Sequence, residues 1–180
     1  HMKILCGMGV PMGLQYSITA IGSVILQTSV NSLGSVAVAA VTAAGKVSMF
    51  FSCPFDAMGS TIATYGGQNV GAKRLDRLGK GLFSCSVLGV GYSLCAFAAM
   101  YFFGTNFAQL FVSASEIEIL NNARQMLIIN SAFYVPLAFV NIIRFMIQGM
   151  GYSTFAIRAG VFEMVARTLA GLILVPQLGF

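Results

Sequence analysis

Apolar residues in this chain neither alternate nor recur as a narrow stripe. They run on for twenty or more positions, five times over. Each run is near or above the ~20 residues that cross a hydrocarbon core as an α-helix. The pattern predicts helices over about 5–27, 36–65, 81–103, 120–148 and 155–175. Pro11 falls near the start of the first, Pro54 in the middle of the second and Pro136 inside the fourth. A proline removes a backbone donor and kinks a helix, which neighbouring helices and water can accommodate in a bundle. The second helix is therefore expected to be broken at Pro54.

Polar residues gather in the connections. Asn31-Ser32-Leu33-Gly34 reads as a short turn, residues 66–80 as a loop, and 149–153 as a second turn. The segment 105–119 holds Glu116 and Glu118 but no Lys or Arg, and predicts a short interfacial helix capped by Ser113 or Ser115. The 66–80 loop carries Lys73, Arg74, Arg77 and Lys80, four of the ten basic residues, against one acid. Basic loops favour the cytoplasmic side. Lys3 then also lies inside, as do the 149–153 turn and the flanking Arg144 and Arg158, whose long side chains can snorkel to the interface. All connections agree with one orientation, N-terminus cytoplasmic.

Composition supports the bilayer as solvent. The chain is 57% hydrophobic and 8% charged, with a mean hydropathy of +0.84, whereas a soluble domain carries about a quarter charged residues. The net charge of +5 is concentrated in one loop rather than in a basic stripe with interleaved aromatics, so no nucleic-acid partner is expected. Cys6, Cys53, Cys85 and Cys95 sit in apolar runs at no metal-ligand spacing and read as packing residues. The first run is of span length without a cleavage-like flank, which predicts a membrane helix rather than a signal peptide. The odd helix count, with residues 176–180 ending the chain and no internal repeat, predicts a truncated chain.

Enzymatic motifs are absent: no HExxH, CxxC, GxSxG or Walker A sequence occurs, and the sole histidine is His1. An enzyme is not expected, nor a cofactor or a metal centre. The informative residues are ions inside the apolar runs: Lys46, Asp56, Glu163 and Arg167. A charge at mid-bilayer costs at least ~2.5 kcal/mol and belongs inside the bundle. Glu163 and Arg167 are four apart and can pair on one helical face, a pair that either pins its helix in register or contributes to transport. Asp56, two residues after Pro54, is a candidate cation or proton site beside freed carbonyls; equally, it can neutralise Lys46 or Arg167. Gln15, Thr19, Ser23 and Gln27, spaced by four, form a polar stripe that reads as a cavity wall, with interhelical hydrogen bonding as the alternative. The 10 Met and 15 Phe suit a site for apolar or cationic ligands, although packing is the commoner role of each.

Pro11-Met12-Gly13-Leu14-Gln15, Val38-Ala39-Ala40 leading to Pro54, and Gly67-Gln68-Asn69-Val70-Gly71-Ala72 before the basic loop resemble the multidrug and toxic compound extrusion (MATE) family. Arg144 through Gln148-Gly149-Met150-Gly151 and the run Glu163–Arg167 extend the likeness over essentially the whole chain. The Gly-Gln-Asn-x-Gly-Ala segment is its most specific part. The resemblance implies an all-α integral membrane protein of two six-helix lobes. This chain would supply five transmembrane helices of the C-terminal lobe, and the N-terminal lobe would be a missing partner. It implies a bacterial plasma-membrane antiporter that exports drugs, organic cations or amphiphiles in exchange for H⁺ or Na⁺. Na⁺-coupled relatives are expected to carry carboxylates in the seventh and tenth helices. Here the first aligns near Thr19, and no acid occurs in 7–27 or 121–148. Coupling would then rest on the other lobe, or on Asp56 and Glu163. A lipid-linked-precursor flippase of the same superfamily is the alternative, for which only Lys46 and Arg167 offer cavity-facing positive charge. A non-transporting scaffold is the third reading.

Overall fold

The computed structural model describes residues 2–32, 34–113, 115–152 and 154–169, with the backbone alone for residues 2–5, 8, 12, 156, 157 and 167. Six α-helices follow one another: α1 (Met2–Asn31), α2 (Ser35–Gly71), α3 (Leu78–Gln109), α4 (Ile117–Ala132), α5 (Tyr134–Gly149) and α6 (Thr154–Leu169). A single 3₁₀ turn, Leu75–Arg77, precedes α3. The described residues include no strand. Three of the helices are long and apolar enough to cross a membrane, and the bent pair α4–α5 adds a fourth if it counts as one span. The predicted fifth span, 155–175, extends past Leu169 to residues outside those described.

Several boundaries differ from the reading of the sequence. α2 is one helix of 37 residues that passes through Pro54 without a break. It also continues through Gly67-Gln68-Asn69, so the basic loop shrinks to a tight turn. Glycines permit this extension: a side chain on Gly67 would lie 2.9 Å from the Gly149 carbonyl oxygen, and one on Gly149 would collide with the Ala63 backbone. Close backbone approach through small residues is how helices pack without a hydrophobic driving force in lipid. The helix ends where Lys73 adopts φ 57°, and the Arg74 N–H donates to the Asn69 carbonyl at 2.8 Å, a left-handed termination.

The fourth predicted helix, in contrast, is bent by 50° between α4 and α5. The break falls at Phe133, three residues before Pro136. Pro136 has no N–H for the Ala132 carbonyl and its ring crowds that oxygen, so the helix stops there and restarts. The interfacial helix expected over 105–119 is absent as such. α3 runs on to Gln109, and α4 starts at Ile117 with both glutamates at its N-terminal end.

α2 is the central element. Along it, Ala40, Ala44 and Val47 pack against Met100 of α3 and Leu120, Ala123 and Leu127 of α4. Phe55 then meets Ala96, Tyr134 and Ala138, with edge-on ring contacts to Tyr92 and Tyr134. Beyond it, Ile62 packs with Ile142, Phe145 and Met146 of α5. α1 and α6 pack chiefly on each other and touch the α2–α5 bundle more lightly.

Candidate functional site

A cleft of about 680 Å³ opens where the α1–α6 pair meets α2, α4 and α5. Its polar residues are spread lengthwise. At one end stand Arg144 and Asn141 of α5, Glu163 of α6 and Gln15 of α1. At the other stand Tyr134 and Ser48. Leu137, Val140 and Pro136 form an apolar stretch between them. Arg144 and Tyr134 are ten residues apart on one helix, which separates the two ends by ~15 Å at 1.5 Å per residue.

The arginine end is held by a short network. The Arg144 guanidinium donates to Asn141 Oδ1 at 2.8 Å and faces the Glu163 carboxylate at 3.8 Å. It also lies 5.4 Å from the Phe145 ring centre. The two ions are only 22% and 32% exposed, so their attraction acts in a poorly screened setting. Arg144 Nε is buried and has no hydrogen-bond partner. Beside them Gln148 donates its amide to Gln15 Oε1 at 3.1 Å, in a fully buried bond between α5 and α1. Gly160 makes room for it: a side chain there would come within 3.0 Å of Gln15 Cγ. At the far end, Ser48 is the polar neighbour of the Tyr134 hydroxyl, yet both oxygens are buried without a hydrogen bond.

The residues singled out in the sequence are thus distributed unevenly. Gln15, Thr19 and Glu163 line the cleft. Ser23 and Gln27, further along the same stripe, do not: Ser23 donates to the Thr19 carbonyl at 3.2 Å and Gln27 to Asn31 Oδ1 at 3.1 Å. The period of four drifts around the helix by ~40° per step, which carries the stripe off the cleft. Lys46 also lies elsewhere, its ammonium 5.4 Å from the Phe111 ring centre. Asp56 is exposed on α2 outside the cleft, and Lys46 forms no ion pair with it. The Arg167 side chain, and with it the Glu163–Arg167 pair, lies outside the described residues.

Arg144 is the residue that sequence reasoning misplaced. Its position near a helix end suggested an interfacial snorkel, whereas it turns into the cleft wall. Asn141 three residues before it and Gln148 four residues after it mark the same polar face and signal this. Arg158 does stay exposed, over the Phe155 ring at 5.5 Å. Among the described residues no cluster of three or more His, Cys, Asp or Glu side chains occurs.

A bundle of span-length apolar helices around a cleft that holds an ion pair has the character of a polytopic membrane protein. The family model described as MatE matches residues 11–173, and the chain belongs to that transporter family. No curated protein and no solved structure matches the chain.

Proposed function

We propose that this chain forms one lobe of a bacterial plasma-membrane antiporter. It exports amphiphilic or cationic small molecules in exchange for H⁺ or Na⁺, with the cleft as this lobe's share of the substrate path. The observation that carries the reading is Glu163 facing Arg144 across the cleft at 3.8 Å. A cation that competes with Arg144 for the carboxylate would leave the arginine its bond to Asn141. A proton or Na⁺ on Glu163 would compete with that cation, which is the exchange an antiporter needs. The apolar stretch between the two polar ends suits the body of an amphiphile.

A second lobe is supported by the outer face of α2. Thr42, Lys46, Cys53, Asp56, Ser60 and Thr64 are all exposed along it. The threonine hydroxyls donate to carbonyls of their own helix, but the Asp56 carboxylate, near the midpoint of α2, has no such relief. Facing lipid, it would cost at least ~2.5 kcal/mol, so this face belongs against water or polypeptide. In this reading it looks onto the central cavity, the positive turn 72–77 faces the cytoplasm, and so does the N-terminus of α1.

The test is export of cationic dyes by cells expressing the full-length protein. Glu163→Gln is expected to lower resistance at least tenfold with membrane abundance unchanged. Asp56→Asn should reduce it less. Undiminished export by the Glu163 variant would remove Glu163 from coupling, and loss only with Asp56→Asn would move the coupling site to the α2 face.

A further inference from the structure

A second groove of about 620 Å³ runs between α2 and α3, on a different side of α2 from the cleft. Its floor is set by a glycine. The Tyr65 ring lies directly on the backbone of Gly81, where any side chain would collide with it, and the Tyr65 hydroxyl donates to the Arg77 carbonyl at 3.1 Å. The walls run from Pro54 to Tyr65 on α2 and from Lys80 to Leu88 on α3. These stretches are ~12–17 Å long at 1.5 Å per residue, about one leaflet of a ~30 Å hydrocarbon core. The lining is almost wholly apolar, and its Thr61 hydroxyl is already bonded to the Ala57 carbonyl at 2.8 Å.

The mouth of the groove is positive. Lys80 lines it, and Lys73, Arg74 and Arg77 lie in the adjoining turn. The one acid there, Asp76, is taken by Arg74 at 3.2 Å. Lys80 forms no ion pair among the described residues. A one-leaflet apolar channel ending at a free ammonium in a basic turn matches one kind of molecule in both parts. We infer that this groove is a binding site for an anionic phospholipid, with an acyl chain along α2 and α3 and the phosphate on Lys80. Basic residues near such a surface attract anionic headgroups. This inference requires only that the chain spans a bilayer, and it stands apart from the antiport reading.

The chain has no tryptophan, so a single introduced one reports its own lipid neighbours. Leu88→Trp, at the inner end of the groove, would be reconstituted into equimolar phosphatidylglycerol and phosphatidylcholine vesicles. Brominated acyl chains would be carried by one lipid and then by the other. Quenching should be at least threefold stronger when phosphatidylglycerol carries the bromine. Adding Lys80→Gln should bring the ratio to about one, and Lys80→Arg should keep it. Phe102→Trp, exposed on α3 away from the groove, should give a ratio near one throughout. Equal quenching by the two lipids at Leu88→Trp, or a preference that survives Lys80→Gln, would overturn the site. Circular dichroism of each variant checks that the helices are retained.

Discussion

The Gln148–Gln15 bond shows how a single polar pair positions the cleft. Both side chains are buried, at 5% and 4% exposure, and the bond joins α5 to α1. Neither amide can turn to water if the other is lost. Gln148→Leu should therefore destabilise the protein by ~1–3 kcal/mol, the cost of one orphaned buried amide. Gln15→Leu together with Gln148→Leu should recover most of that loss, because no unpaired group remains. Thermal unfolding of the detergent-solubilised variants checks this, and additive losses in the double variant would show that the two amides act independently. Gln15 was legible in the sequence as part of a polar stripe, but its partner was not. Gln148 sits in a glycine-rich run whose turn character masked it, and 133 residues separate the two. Glu163 was legible as an ion in an apolar run. Its observed facing partner, Arg144, was hidden by nearness to a helix end, since chain position alone does not give the direction of a side chain.

At the scale of elements, the two prolines of the central bundle behave in opposite ways. Pro54 sits within a continuous helix, whereas Pro136 is preceded by a 50° bend. Tertiary packing separates them. Phe55, beside Pro54, is buried among rings from two other helices, which holds α2 on one axis. Before Pro136, Phe133 and Ala132 are exposed and nothing opposes the break. The hydrophobic run showed that helical residues lie on both sides of each proline, and could not show which break would open. Pro136→Ala restores an N–H to the Ala132 carbonyl and should let α4 and α5 straighten. Spin labels at Ile117→Cys and Ile143→Cys would then move ~3 Å apart from their separation in the bent form, at 1.5 Å rise per residue. An unchanged distance would assign the bend to the packing of Tyr134 under Phe55. A straightened pair would also displace Leu137 and Val140 from the cleft, so dye export should fall in parallel.

Across the whole molecule, helix length turns the sequence into a topology. α3 has 32 residues, ~48 Å at 1.5 Å per residue, longer than the ~40–45 Å of a bilayer with its headgroups. As a span, its two ends would emerge on opposite sides, whichever way the chain is inserted. The turn at 72–77 and the connection at 110–116 are then on opposite faces. The first is basic, while the described residues of the second include one acid and no base. The positive-inside rule predicts a cytoplasmic basic turn, because moving its three basic side chains and the neighbouring Lys80 across the core is the costlier alternative. With Cys6, Cys53, Cys85 and Cys95 replaced by serine, Lys73→Cys should resist a membrane-impermeant maleimide added to intact cells and react once they are opened. Ser115→Cys should react from outside. Labelling of both from the same side would contradict α3 as a span, and exchange of the two patterns would reverse the orientation. Because α1, α2, α3 and the bent α4–α5 pair alternate in direction, the answer at these two sites also fixes which side the Arg144 end of the cleft approaches. Arg144 lies in the last third of α5, so a cytoplasmic 72–77 turn puts the ion pair nearer the cytoplasmic surface and the Tyr134 end nearer mid-membrane.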